Sequence, residues 1–306
     1  MSIFNLPRSR MYWASKTWIS QVADVMTRVR WEAIKKNLHF NDNTHMPSTD
    51  DPDRDKLFKI RPLLELLLPK FRQIPQQQIL CIDEQMVPFK GRSSLKQYVP
   101  KKPHKWGYKI FMLCDTRGMV HNFEIYTGKI MPVEGYPDLG ASSNIVLRLS
   151  QVVQPNMNHI FYFDNWFTSV NLLVQLAKKE IFAIATARSN RLLGCEMQSE
   201  KELKQKGRGS FEEKETTIDG IVVRVVKWFD NRPFTLASTC TSVYPLCNVD
   251  RWDRSQRQSI SVCCPAIVGK YNQNMGGVDA LDALVSYYRI GIRSKKYYHR
   301  FFIWLM

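Results

Sequence analysis

HIFYFDNWFTSVNLLVQLAKKEIFAIATA, residues 159–187, decides the fold class. HIFYFD (159–164) is a short apolar run that ends in an aspartate. FTSVNLLVQLAKKE (167–180) spaces its apolar residues as an amphipathic helix, and IFAIATA (181–187) is a second buried-strand pattern. Strand, helix and strand in succession predict part of a sheet covered by helices. Upstream, QILCIDEQMVPF (78–89) begins apolar and β-prone. WGYKIFMLCD (106–115) and MVHNFEIYTG (119–128) are β-rich runs joined by Asp-Thr-Arg-Gly, a hairpin turn. GASSNIVLRLSQVV (140–153) has helical periodicity. The order is β-β-β-α-β-α-β, which predicts an α/β fold with a mixed sheet.

The flanks differ in texture. Thr27 is a candidate N-cap for a helix carrying Trp31, Ile34 and Leu38 on one face. NDNTHMPSTDDPDRD (41–55) reads as a polar loop, and 56–73 as a second helix with Leu57, Ile60, Leu64 and Leu67, kinked at Pro62. Residues 191–264 are polar, with alternation at 215–230 and a short strand at 233–239, and predict a mainly β insertion. GGVDALDALVSYYRI (276–290) predicts a helix, followed by the basic tail GIRSKKYYHR (291–300). The chain stops at FFIWLM without a helix-ending signal, which reads as a shortened sequence.

Composition narrows the class. Of 306 residues, 44 are Lys or Arg and 28 are Asp or Glu, a formal charge of +16 that points to a polyanionic partner. At 44% hydrophobic and 12% aromatic the chain is not disordered. The richest apolar stretch, PLLELLLP (62–69), is too short to span a membrane, and the amino terminus has no apolar signal core. Seven cysteines without paired spacing argue for a reducing compartment and against a zinc finger. Adjacent Cys263 and Cys264 read as a buried apolar pair.

Three aspartates sit where chemistry would want them. Asp83 lies in a strand, Asp164 ends one, and Asp279 opens a helix with Asp282 on the same face three residues later. A strand that is apolar up to its last residue does not bury a charge casually. Phosphodiester cleavage and transfer need an activated nucleophile and a stabilised leaving oxygen, which two Mg²⁺ ions held by carboxylates can supply. The residues alone leave two readings open: a metal site, or capping and surface carboxylates.

The positive charge is clustered. Residues 90–109 hold Lys90, Arg92, Lys96, Lys101, Lys102, Lys105 and Lys109 with no acid, interleaved by Tyr98, Trp106 and Tyr108. Such a segment offers contacts to phosphate and planes for stacking on bases. The tail holds Arg289, Arg293, Lys295, Lys296 and Arg300 among Tyr287, Tyr288, Tyr297 and Tyr298. Arg188 and Arg191 follow the strand at 181–187 and read either as phosphate clamps or as structural ion-pair partners. Trp166 and Phe167 read as core anchors.

CIDEQMVPFKGRSSLKQYVPKKPHKWGYK, FDNWFTS, ATARSNR and YNQNMGGVDALD resemble, in order and spacing, the piggyBac transposase family, including its domesticated transposable-element-derived members. The resemblance runs from WEAIKKNLHFNDN (31–43) to IRSKKYYHRFF (292–302). It implies an RNase H-like catalytic core at 78–190 and 265–288, interrupted by an insertion domain at 191–264. Helical dimerisation and DNA-binding parts would lie at 1–77 and 289–306. It implies cut-and-paste transposition: water attacks at the transposon end, the freed 3′-hydroxyl forms a hairpin, and after opening it joins DNA at TTAA. The metal ligands fall on Asp83, Asp164 and Asp279, with a further aspartate on Asp282, for two Mg²⁺ ions or Mn²⁺ in their place. Arg188 and Arg191 fall on a basic pair associated with target joining. Double-stranded DNA, a homodimer and a nuclear location follow from the same resemblance. The family's amino-terminal region and carboxy-terminal zinc domain have no counterpart in the sequence, and Tyr297 stands where relatives carry Trp. The alternative is a domesticated DNA-binding protein that no longer cuts.

Overall fold

A mixed sheet organises the computed structural model, which describes residues 3–4, 6–48, 50–100, 102–290 and 294–305. The amino-terminal part holds helices α1 (Ser20–Ala23), α2 (Arg28–Asn37) and α3 (Arg61–Arg72). Thr27 caps α2, its side chain accepting from the Arg30 amide at 3.2 Å. The Leu-rich helix starts later than the sequence suggests. Pro62 stands in its first turn, where a missing N–H costs nothing, and it is not a kink.

Strands β1 (Ile79–Pro88), β2 (Gln97–Tyr98), β3 (Trp106–Asp115) and β4 (Val120–Ile125) come next. They are followed by α4 (Ala141–Ser150), β5 (Ile160–Phe163), α5 (Val170–Ala177) and β6 (Phe182–Thr186). This is the expected order, with only the two-residue β2 added. β1 pairs antiparallel with β3 and parallel with β5, and β5 pairs parallel with β6. Both β2 and β4 lie along the other edge of β3. The central order is therefore β4-β3-β1-β5-β6.

Residues 191–264 extend the same sheet. After α6 (Glu200–Lys206), β7 (Phe211–Ile218) and β8 (Ile221–Phe229) form a hairpin over Asp219-Gly220. β9 (Pro233–Ser238) pairs with both β8 and β6. β10 (Cys247–Asp253) and β11 (Gln258–Cys264) form a separate two-stranded ladder. Helices α7 (Ala266–Asn274), α8 (Gly277–Tyr288) and α9 (Tyr297–Leu305) close the described chain.

Alternation along the strands separates two packed layers. Leu80, Ile82, Phe161, Phe163, Phe111 and Leu113 point to the side covered by α4 and α5. Cys81, Tyr162 and Ile184 point to the opposite side, against Ile267, Val268 and Tyr271 of α7. On that side Ile110, Met112 and Cys114 meet Leu64 of α3, Val278 of α8 and Phe301 of α9. Each layer buries a continuous apolar cluster, the main favourable term in folding. No helix among the described residues is long and apolar enough to cross a membrane.

Candidate active site

Asp83 and Asp164 are brought together by strand register. Ile82 is opposite Phe163 on the parallel pair β1–β5. Each aspartate is the next residue, so both leave the sheet on the side of Cys81 and Tyr162. The residues of FDNWFTS hold Asp164 in place. Its Oδ1 accepts from the Trp166 amide at 2.8 Å. The Thr168 hydroxyl lies 2.9 Å from the Asp164 carbonyl oxygen and 2.6 Å from that of Thr186, tying the ends of β5 and β6. Ser169 then caps α5.

Both carboxyls resist ionisation. Burial, then the neighbouring Glu84, and also Asp164, push the Asp83 carboxyl up to about 7, against the pull of Lys102. Burial also raises that of Asp164. A pair of half-buried carboxyls that repel one another is a site that a cation would relieve.

Helix α8 lies over the same face. Gln85, two residues along β1 from Asp83, donates from Nε2 to Asp282 Oδ1 at 2.5 Å. Two glycines permit this approach. A Cβ on Gly277 would stand 2.3 Å from the Asp115 carbonyl oxygen. Gly118, at φ +87, lies against the backbone of Leu281. Asp282 is open on its outer side, while withdrawal of its inner side from water raises its carboxyl. Asp279 is exposed, one turn nearer the helix start. Among the described residues, no group of three or more His, Cys, Asp or Glu side chains is arranged to hold a metal ion. The two strand aspartates form a pair, and on α8 Asp282 is linked to β1 through Gln85. Mg²⁺ commonly uses one or two carboxylates and takes its remaining oxygens from water and phosphate, so this donor set fits that ion.

On the other side of β1, Glu84 gathers two lysines. Lys109 Nζ lies 3.9 Å from Glu84 Oε2 and Lys102 Nζ lies 4.0 Å from Oε1, with Lys102 also donating to the Glu84 carbonyl at 3.1 Å. Lys109 sits 4.4 Å over the Trp166 ring, which stacks on Phe111. Burial lowers the Lys109 ammonium. These two cations of the basic segment are held inside the site's frame. Lys90, Arg92 and Lys105 are exposed, and Lys96 rests 4.7 Å over Trp106. Tyr98 and Trp106, 51% and 48% exposed, form an open aromatic pair. Tyr108 is fully buried between Phe89 and Phe301 and is core, not a stacking plane.

Arg188 reaches the site edge, donating from Nε to Asn165 Oδ1 at 2.8 Å, beside Asp164. Arg191 donates to Ser142 Oγ at 3.0 Å instead. In the tail Lys295 and Lys296 are exposed, whereas Arg300 is half-buried with its Nε lacking a hydrogen-bond partner. Lys101 and Arg293 lie outside the described residues. Trp166 and Phe167 are anchors of the apolar layer. Sequence reasoning missed Gln85, Glu84 and Asn165. The first was within reach, because residues two apart on a strand share a face.

The family described as Transposase IS4 matches residues 1–306. Human PiggyBac transposable element-derived protein 3 is 35% identical over 300 residues, which cover 96% of this chain and 49% of that protein. This chain belongs to the piggyBac transposase family. Human PiggyBac transposable element-derived protein 2 is 30% identical over 301 residues, again 96% of this chain and 49% of that protein. The cryo-EM structure of a piggyBac transposase synaptic complex with hairpin DNA superposes with a TM-score of 0.74 at 25% identity. That match covers 95% of this chain and 58% of the other. The piggyBac-family chain thus spans about half the length of the curated relatives it matches.

Proposed function

We propose that this chain carries the catalytic part of a DNA transposase that cuts and joins phosphodiester bonds at Asp83 and Asp164. The observation that carries the reading is the pairing of Asp83, within β1, with Asp164, just past the end of the parallel neighbour β5, both with raised carboxyls. The strand order β4-β3-β1-β5-β6, antiparallel then parallel, supports an RNase H-like core. DNA as partner is supported by the +16 charge and by the relative captured with hairpin DNA.

Asp83 and Asp164 would hold Mg²⁺, or Mn²⁺, with Asp279 or Asp282 supplying further oxygen from α8. The ion would polarise a phosphate oxygen and lower the pKa of a bound water. The chain's own residues do the remaining work. Gln85 fixes Asp282 and so seats α8 against β1. Lys102 and Lys109 hold Glu84 in place and offset its charge near the pair. Arg188, oriented by Asn165, presents a guanidinium to an incoming phosphate. Lys90, Arg92, Lys96 and Lys105 bind backbone phosphates, while Tyr98 and Trp106 offer stacking surface. Hairpin formation at transposon ends, joining at TTAA, a homodimer and a nuclear setting belong to the same proposal.

A second reading, DNA binding without cleavage, has its own support: no third carboxylate closes around Asp83 and Asp164 among the described residues. A nicking and strand-transfer assay on end-containing DNA separates the two. With Mg²⁺, nicking that disappears in Asp83→Asn and Asp164→Asn while DNA binding persists supports the enzyme. Binding with no nicking in the unaltered full-length protein supports the second reading. Nicking that survives both substitutions removes the aspartates from the chemistry.

A further inference from the structure

The β10–β11 ladder places two thiols directly opposite one another. Its register begins at Cys247 and Cys264 and runs to Asp253 and Gln258. Opposed residues on an antiparallel pair stand about 4.5–5.5 Å apart at Cα and point to the same face. A disulfide spans about 4.4–6.8 Å at Cα. The Cys247 Sγ donates to the Cys264 carbonyl oxygen at 3.3 Å, so it is turned across the ladder towards its partner. It also lies 3.7 Å from the place of a Cβ on Gly269, under α7, where Cys264 is buried. The pair is distinct from the adjacent Cys263. That residue is opposite Asn248 and turns to the other face, where Gly209 approaches its Cβ.

The two thiols differ in access. Cys247 is exposed and Cys264 is wholly buried, and all seven cysteines are free. Burial, with Cys247 beside it, pushes the Cys264 thiol up to about 12. The exposed sulfur is thus the one an oxidant meets first, and the buried one resolves the product.

We propose that Cys247 and Cys264 form a paired oxidation site that closes to a cross-strand disulfide when the chain meets a hydroperoxide. The Cys247 thiolate attacks the peroxide oxygen, the O–O bond breaks, and the leaving oxygen departs as water or alcohol. Cys247 is then a sulfenic acid. The Cys264 sulfur attacks it, the S–S bond forms, the S–O bond breaks, and the Cys264 proton leaves with the hydroxyl as water. Two thiols lose two electrons and one peroxide is reduced. In a reducing compartment such a bond is transient and reports oxidant exposure. It closes the hairpin at its base, beside the start of α7, the helix that precedes α8 and its aspartates.

Limited trypsin cleavage reads the bond directly. The hairpin turn at 254–257 contains Arg254 and Arg257, and Arg257 adopts φ +50 at the exposed tip. The folded chain is treated with hydrogen peroxide, free thiols are alkylated, and the turn is nicked. The two fragments should stay together without reductant and separate with it. The joined peptides should contain Cys247 and Cys264, lighter by two hydrogens than their sum. Cys247→Ser, an exposed and conservative change, should release the fragments, whereas Cys263→Ser should leave them linked. Fragments that separate after oxidation of the unaltered chain overturn the proposal. So does a linkage that survives Cys247→Ser or depends on Cys263.

Discussion

Gln85 on β1 and Asp282 on α8, 197 positions apart in sequence, meet in a hydrogen bond of 2.5 Å. Gln85 is 1% exposed, and its Oε1 has no hydrogen-bond partner. The amide is therefore held for what its nitrogen does. It joins the strand that carries Asp83 to the helix that carries Asp279 and Asp282.

Gln85→Ala should lower stability by about 1.5–3 kcal/mol, the range for losing a hydrogen bond to a charged group. Gln85→Glu keeps the shape but sets a second carboxyl against Asp282. At pH 8 it should melt lower than Gln85→Ala, and it should recover as pH falls, because one shared proton then bridges the two carboxyls. Thermal melts of the three proteins at pH 5 and pH 8 check this. A Gln85→Glu protein that is least stable at pH 5 contradicts it.

The Asp83 carboxyl, raised to about 7, sets a pH window. Its folded-state value lies above its unfolded one, so between about pH 4 and 7 the folded chain keeps a proton that the unfolded chain has lost. Without a cation, stability from this group falls as pH rises through that window. The loss is on the order of a few kcal/mol. At the proposed cation site Mg²⁺ would bind the ionised pair in the folded chain alone, so it should raise Tm more at pH 8 than at pH 6. In Asp83→Asn both the pH slope and the Mg²⁺ effect should shrink. Equal Mg²⁺ responses in the two proteins would remove Asp83 from the cation site.

Two adjacent glycines make opposite predictions. A Cβ on Gly277 would meet the Asp115 carbonyl at 2.3 Å and the Cys81 sulfur at 3.1 Å, whereas one on Gly276 meets nothing within 4 Å. The clash at Gly277 is with backbone, which cannot rotate away. Gly277→Ala should cost about 2 kcal/mol or more and displace α8 with its aspartates. Gly276→Ala should be close to neutral. Denaturant unfolding of both variants is the measurement, and similar stabilities for the two would refute the packing argument.

Much of this site is legible in the amino-acid sequence. Period-2 and 3.6 patterns locate β3, β5, α4, α5, β6 and α8 within a few residues, because those elements are buried and their apolar spacing is strict. Asp164 is legible because it ends an apolar run, Asp83 because it stands in a strand, and Asp279 because it opens a helix. The β7–β8 hairpin is readable from Asp219-Gly220 but merges into one alternating run. β10, β11 and α7 give weak signals, since the exposed hairpin alternates polar residues with few apolar ones. α2 buries no residue at all, so its face at Trp31 and Ile34 says little about the core. What no pattern can give is the partner across the fold: Glu84 for Lys109, Asn165 for Arg188, Gln85 for Asp282.

Those partners divide the basic segment into two structural groups. Lys90, Arg92 and Lys105 stand in solvent, and Lys96 lies on an exposed ring. Lys102 and Lys109 are committed to Glu84. Each phosphate contact adds about one unit to the slope of log affinity against log salt. Alanine at Lys90, Arg92 or Lys105 should reduce that slope by about one and leave stability within about 0.5 kcal/mol of the parent. Lys109→Met should do the reverse. It leaves Glu84 half-buried with one cation fewer, so stability should fall by about 1–3 kcal/mol while the salt slope stays nearly constant. Fluorescence anisotropy on duplex DNA from low to physiological salt, paired with thermal melts, measures both quantities. A Lys109→Met protein with unchanged melting and a shallower slope would assign Lys109 to the DNA surface instead of to the frame of the site.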